Sequence, residues 1–163
     1  LIRAFSEFLL KNPQATLHIV GSGPEYEPLR QLISNLALEE SIFLIGNRTD
    51  LPTLLHQYDC FIMPSLSEGF SGALIEALMA HLPILASKIP ANQEIIKHLE
   101  TGYLFEADSI TSIVEALFWF ESNRQLAWGL ASEGYYTSLM RYELSSIASS
   151  MEMYLDNKIK TLA

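Results

Sequence analysis

Between residues 16 and 105, short β-rich runs alternate with stretches of helical periodicity, and few folds accept that order. Residues 16–21 (TLHIVG), 41–46 (SIFLIG), 60–63, 83–87 and 103–105 read as strands of aliphatic and β-branched residues. Residues 25–37, 51–57, 72–81 and 92–98 read as helices; in the first, Leu29, Leu32, Ile33 and Leu36 recur at helical intervals. Strands separated by single helices and short turns run parallel through right-handed crossovers, which predicts one sheet covered by helices on both faces. The expectation is an α/β, Rossmann-like domain whose ligands sit beyond the carboxyl ends of the strands.

The flanks of this core are helical. Leu1, Ile2, Phe5, Leu9 and Leu10 open the chain at helical spacing with no capping residue ahead of them, which reads as a boundary that removes upstream structure. Asn12-Pro13 stops that helix. Beyond residue 109 strand signals vanish, and 110–120, 124–140 and 142–158 read as a helical tail. Without a repeat or a Pro/Gly-rich linker, residues 1–163 form a single domain.

Composition removes several classes of function. The 19 acidic residues outnumber the 10 basic ones, and no Lys/Arg run is dense enough to neutralise phosphates, so nucleic acid is not the expected partner. Apolar stretches end short of a membrane span, and the start lacks the basic-then-apolar pattern of a leader. Cys60 is the only cysteine, so neither an intrachain disulfide nor a thiolate metal cluster can form, which fits a reducing, cytoplasmic setting. His18, His56, His81 and His98 stand singly, without the paired spacing of a metal site.

The informative stretch is Pro64-Ser65-Leu66-Ser67-Glu68-Gly69-Phe70-Ser71-Gly72-Ala73-Leu74-Ile75-Glu76-Ala77. It leaves a strand, passes through a glycine-containing loop and enters a helix, where backbone N–H groups and the helix dipole favour an anion. Small residues at Ser71, Gly72 and Ala73 let a diphosphate approach the backbone. Glu68 and Glu76 are expected to project into one groove. Carboxylates there make sense as acceptors of hydroxyl hydrogen bonds, although spacing alone equally allows a helix-start acid and a solvated helix residue.

The chain resembles glycosyltransferase family 4 and its relatives, which carry two Glu residues separated by seven others, as Glu68 and Glu76 are, with Glu-Gly-Phe-Ser after the first. Further blocks follow in family order: Ile19-Val20-Gly21-Ser22-Gly23-Pro24, Phe43-Leu44-Ile45-Gly46, Ile62-Met63-Pro64-Ser65, Leu82-Pro83-Ile84-Leu85-Ala86-Ser87, Glu94-Ile95-Ile96 and Thr101-Gly102-Tyr103-Leu104-Phe105. The resemblance spans about residues 1–117 and implies the nucleotide-sugar-binding, C-terminal half of a retaining enzyme with the two-domain B-type fold.

It further implies that Glu76 binds the ribose hydroxyls of a nucleotide-diphosphate sugar and that Glu68, the catalytic position, binds the hydroxyls of the transferred sugar. Gly69, Phe70, Ser71 and Gly72 would present backbone N–H groups to the diphosphate, and Gly46, Asn47 and Arg48 would lie near the base. Gly21 and Gly23 either form a tight turn or also border the donor cleft. They are not a dinucleotide fingerprint, because Tyr26 replaces its third glycine. No metal or other cofactor is needed in that scheme.

The same resemblance places a diphosphate-neutralising Arg and Lys, and an acceptor-binding domain, upstream of the first residue. Lys88, at a strand end, is the candidate replacement. Hence the isolated chain is expected to transfer no sugar, to bind donor weakly, and to self-associate through a sheet position left unpaired. The complete protein would work in the cytoplasm or peripherally at the inner face of a membrane, in polysaccharide, glycolipid or glycoconjugate synthesis. Alternatives are a nucleotide-sugar epimerase half, or a silent binding module that uses its tail to hold a partner.

Two local expectations remain. His81 replaces a glycine common in the family at a helix end, so the turn there is expected to differ. Phe118, Trp119 and Phe120 form an aromatic cluster that reads as core packing or, alternatively, as a docking surface for the absent domain.

Overall fold

The computed structural model describes residues 1–142. The elements run α1 (Ile2–Leu9), β1 (Leu17–Val20), α2 (Tyr26–Asn35), β2 (Ile42–Gly46), α3 (Leu51–Leu55), β3 (Phe61–Met63), α4 (Gly72–Met79), β4 (Ile84–Ser87), α5 (Pro90–Ile95), β5 (Tyr103–Phe105), α6 (Ile110–Ser122) and α7 (Arg124–Tyr142). The order is the one the periodicity predicts. The tail helix expected over 142–158 lies, after its first position, outside the described residues. α5 differs most from expectation: Pro90 at the helix start brings it forward, and Ile96 is already extended, with φ −105° and ψ 128°.

All strand pairings are parallel, as single-helix crossovers demand. They form two ladders, β1–β2 and β3–β4–β5, so the one continuous sheet expected from the sequence is interrupted between β1 and β3. Leu17 of β1 and Ile62 of β3 border an open cavity of about 780 Å³ at this break, and Phe5, Phe8, Leu85 and Phe120 line it as well. The interruption coincides with the unpaired position that the family resemblance implies.

A helix layer joins the two ladders. Ile2, Phe5 and Phe8 of α1 and Ile113, Leu117 and Phe120 of α6 share one apolar cluster with Leu17 of β1, Ile42 of β2 and Leu85 of β4. Burying each such side chain contributes roughly 1.5–3 kcal/mol, so this layer outweighs any single polar contact across the break. One such contact exists: His18 Nδ1 lies 2.8 Å from the Tyr58 hydroxyl, linking β1 to the segment that enters β3. Phe118 meets Phe8 edge-on at 5.1 Å, and Trp119 packs on Tyr103 at 4.7 Å, which settles the aromatic cluster as packing.

β4 is buried along its whole length. Leu85 faces the α1–α6 cluster, while Ile84 and Ala86 face Leu74, Ala77 and Leu78 of α4 together with Ile95 and Ile96. Helices therefore cover both faces here. On β1–β2 the second face is largely open: His18, Val20 and Phe43 are exposed.

The end of α4 corrects one expectation. His81 takes φ +58°, so histidine adopts the left-handed turn that was expected to differ. Its N–H donates to the Leu78 carbonyl at 2.9 Å, and Leu82 N–H donates to Ala77 at 3.0 Å, the two bonds of a Schellman cap. Strain of about 1–2 kcal/mol is offset by the Tyr135 ring of α7, stacked on the imidazole at 3.6 Å between centroids. Beside it, a Cβ on Gly134 would come within 2.6 Å of Leu78 Cδ2 and 3.1 Å of the Thr101 carbonyl, so a glycine sets how closely α7 approaches α4.

Candidate functional site

The residues singled out by sequence share one edge of the fold. Gly21 and Gly23 follow β1; Gly46 ends β2 and leads into Asn47 and Arg48; Glu68, Gly69, Phe70 and Ser71 follow β3; Gly72 and Glu76 belong to α4; Lys88 follows β4. All lie at or beyond carboxyl ends of parallel strands, where such sheets leave backbone groups and helix starts free to meet a ligand.

The first two loops are tied together. Gly21 N–H donates to the Gly46 carbonyl at 2.8 Å, with φ +126° at Gly21 and +66° at Gly46. L-residues rarely adopt those angles, so the turns themselves require glycine at both places. Gly23 and Gly69 differ: neither has a left-handed φ, and an added Cβ would meet nothing within 4 Å. Nothing in the fold itself demands glycine there.

Arg48 holds Asp50 in a two-pronged ion pair, Nε to Oδ1 at 2.8 Å and Nη2 to Oδ2 at 2.6 Å. The bond to Arg48 lowers the Asp50 carboxyl below its ordinary value, and the bond to Asp50 raises the guanidinium. Lys88 reaches Glu106 at the end of β5, with Nζ 3.2 Å from Oε1 and both side chains exposed. Such a surface pair is worth about 0–1 kcal/mol and does not lock the ammonium away.

The β3–α4 turn carries the two acids. Glu68 is exposed, and its Oε1 accepts the Ser65 hydroxyl at 2.7 Å. Glu76 is exposed on α4, away from the buried Leu74, Ala77 and Leu78. Phe70, at 67% exposure, stands out from the turn with no apolar cover. Among the described residues, the N–H groups of Phe70, Ser71, Gly72 and Ala73 have no protein acceptor; the first satisfied amide is that of Leu74, donating to the Ser71 carbonyl at 3.0 Å. Unpaired amides at a helix start carry the positive end of the helix dipole.

Beneath this turn lies a polar cluster that sequence reasoning missed. Ser71 sits at the N-cap of α4, yet its hydroxyl does not cap the helix and instead donates to Asn92 Oδ1 at 2.6 Å. Asn92 Nδ2 donates to the Ser87 carbonyl at 2.9 Å and to Ser87 Oγ at 3.1 Å. Ser87 Oγ in turn donates to the Ser65 carbonyl at 2.5 Å. Ser71, Ser87 and Asn92 are all buried. The only local signal was a polar residue framed by Ile89, Ile95 and Ile96, which by itself names no partner.

Other features do not belong to this edge. Of the sequence-predicted site residues, only Arg48 borders the 780 Å³ cavity, so that cavity belongs to the break in the sheet and not to the acids. Burial, and next the charge of Asp59, push the Cys60 thiol well above its ordinary value, leaving it protonated and unreactive. Among the described residues, no three or more of His, Cys, Asp and Glu are grouped to hold a metal ion. None of the described helices is long and apolar enough to cross a membrane.

Residues 1–135 match the family model described as glycosyl transferases group 1, and the chain belongs to that family. It is 26% identical over 157 residues to N-acetyl-alpha-D-glucosaminyl L-malate synthase of Bacillus anthracis, covering 96% of this chain and 41% of that protein. The C-terminal domain of a glycosyl transferase group 1 family protein, LpcC of Francisella tularensis, superposes with a TM-score of 0.78 at 28% identity, over 88% of this chain and 77% of that one. Anabaena Alr3699/HepE, solved in complex with UDP, shares the fold with a TM-score of 0.87 at 24% identity, over 96% of this chain and 44% of that one. The chain thus spans less than half the length of the synthase and of HepE.

Proposed function

We propose that this chain is the donor-binding half of a retaining glycosyltransferase that moves a hexosyl-type sugar from a nucleotide diphosphate to a saccharide, lipid or other acceptor. The observation that carries the reading is the run of unpaired amides from Phe70 to Ala73 at the start of α4, flanked by the exposed carboxylates of Glu68 and Glu76. The amides suit the diphosphate oxygens, and the acids suit hydroxyls: Glu76 those of the ribose, Glu68 those of the sugar. Glycine at positions 23 and 69, required by neither φ nor packing, leaves room for a ligand to approach the backbone. Gly21, Gly46, Asn47 and Arg48 would bound the nucleotide side of the cleft.

In the reaction, the bond from the anomeric carbon to a diphosphate oxygen breaks. A bond to the acceptor oxygen forms on the same face, and the acceptor hydroxyl loses its proton. The contribution of this half is to stabilise charge growing on the departing diphosphate, with no metal called for. HepE is described in complex with UDP, which supports a nucleotide sugar as ligand.

The neighbouring cations Lys88 and Arg48 already hold carboxylates, so the chain alone is expected to bind donor weakly and to transfer nothing. Its two free strand edges are expected to drive self-association, which sedimentation would reveal; a monomer at all concentrations contradicts that. The complete protein would act in the cytoplasm or at the inner membrane face. The decisive experiment is nucleotide release from a panel of UDP-, GDP- and ADP-sugars by the protein its gene encodes. One donor should be used, and Glu76→Ala should abolish its use; turnover undiminished in Glu76→Ala would refute the assignment.

A further inference from the structure

The cluster beneath the β3–α4 turn joins three segments far apart in sequence. Ser65 and Ser71 bracket the loop that holds Glu68, Ser87 ends β4, and Asn92 lies in α5. Asn92 is fully buried and uses both ends of its amide: Oδ1 accepts from Ser71, and Nδ2 donates to the carbonyl and hydroxyl of Ser87. Ser87 then passes its own hydroxyl hydrogen to the Ser65 carbonyl. Both ends of the acid-bearing loop are thus fastened to the β4–α5 segment by one side chain and its immediate neighbour.

The arrangement removes a competitor. A serine at the N-cap ordinarily turns its oxygen onto the second or third N–H of its own helix, which would occupy the amides a diphosphate needs. Here the hydroxyl points away, drawn by the carbonyl oxygen of a buried amide at 2.6 Å. Burial makes the choice one-sided, because an Asn92 oxygen left without a donor would carry an unrepaid desolvation cost. Among the described residues no buried side-chain polar atom lacks a partner, so the cluster is complete.

We infer that Asn92 is a positioning residue for the donor site: by holding the Ser71 hydroxyl off the start of α4 and anchoring Ser65 through Ser87, it keeps the Phe70–Ala73 amides free and the Glu68 loop in place. The inference rests on the donor-site reading above.

The test uses the 163-residue chain labelled with ¹⁵N and titrated with UDP to millimolar concentration, as parent, Asn92→Ala, Ser71→Ala and the double variant. In the parent, UDP should shift the amide signals of residues 69–73. Without ligand, Asn92→Ala should move the signals of 65–73 while those of β1 and β2 stay in place, and its UDP affinity should fall about tenfold, as loss of one buried hydrogen bond predicts. If Asn92 acts through Ser71, the double variant should bind no more weakly than Asn92→Ala; losses that simply add would overturn the inference. Unmoved loop signals in ligand-free Asn92→Ala would overturn it too, whatever UDP does. A parent that shows no UDP shifts, together with a loop displaced in Asn92→Ala, would instead refute the donor-site reading and leave the loop-positioning role standing. Should Asn92→Ala fail to fold, Ser87→Ala, which cuts only the Ser65 tether, takes its place in the same comparison.

Discussion

The two ladders of this chain have the same strand direction and the same kind of crossover, yet only one of them is a finished sheet. In β3–β4–β5 the central strand is paired on both edges and covered on both faces, and the turn leaving β3 is pinned from below by Asn92. β1–β2 is paired on one edge of each strand, is open over His18, Val20 and Phe43, and is held to the rest mainly by α1 and α6. Rigidity is therefore concentrated where the acids are. A loop can present amides and carboxylates at fixed places only if the elements it joins do not move, and the more fully packed ladder supplies that footing.

Substitutions can break or sharpen this contrast. The largest difference is expected between matched aliphatic truncations. Ile84→Ala, deep in β4, should cost about 2–5 kcal/mol, whereas Val20→Ala on the open face of β1 should stay within about 0.5 kcal/mol in urea unfolding. Equal losses would mean that the two ladders are equally consolidated. Next, Gly134→Ala should destabilise by about 1–3 kcal/mol, because the new methyl meets Leu78 and the Thr101 backbone; an unchanged thermal midpoint would show that α7 does not brace α4.

A smaller effect is expected at the α4 cap. His81→Ala keeps the left-handed strain and loses the Tyr135 stack, for a loss of about 1 kcal/mol, while His81→Gly relieves the strain as the stack goes and should unfold close to the parent. If the alanine and glycine variants unfold together, strain is not what the stack offsets.

The smallest effect lies on the open ladder's side. The carboxyl of Asp50 is held below its ordinary value by Arg48, so whatever this pair contributes is present above the unfolded-state value and is lost as pH falls through the folded one. NMR titration should therefore find Asp50 low in the parent and back in the ordinary carboxylate range in Arg48→Gln, with little change in stability because both groups are exposed. An unmoved Asp50 titration would mean that the pair does not persist in solution.

Much of the architecture could be read before any coordinates. Strand and helix order follows from periods of two and 3.6 residues, which are local properties, and the strongest runs, such as 41–46 and 83–87, reappear with small changes at their ends. The position of the Glu68 loop between β3 and α4 was equally legible, because glycine and small residues between an apolar strand and an apolar helix leave little choice. The helix end at His81 shows the limit: the sequence signalled a conflict with the left-handed turn, but the ring that relieves it, Tyr135, is 54 positions away (135 − 81).

By itself, then, the amino-acid order determined the elements, their parallel sense and the loop on which the acids ride, since each depends on neighbours a few residues apart. Tertiary structure alone decided that the strands split into two ladders, that α7 rests on α4 at Gly134, and that Ser71 turns from its own helix toward Asn92. Those outcomes depend on which buried polar group finds which partner and which face meets which. Such pairings are fixed by three-dimensional packing and leave no periodic trace along the chain.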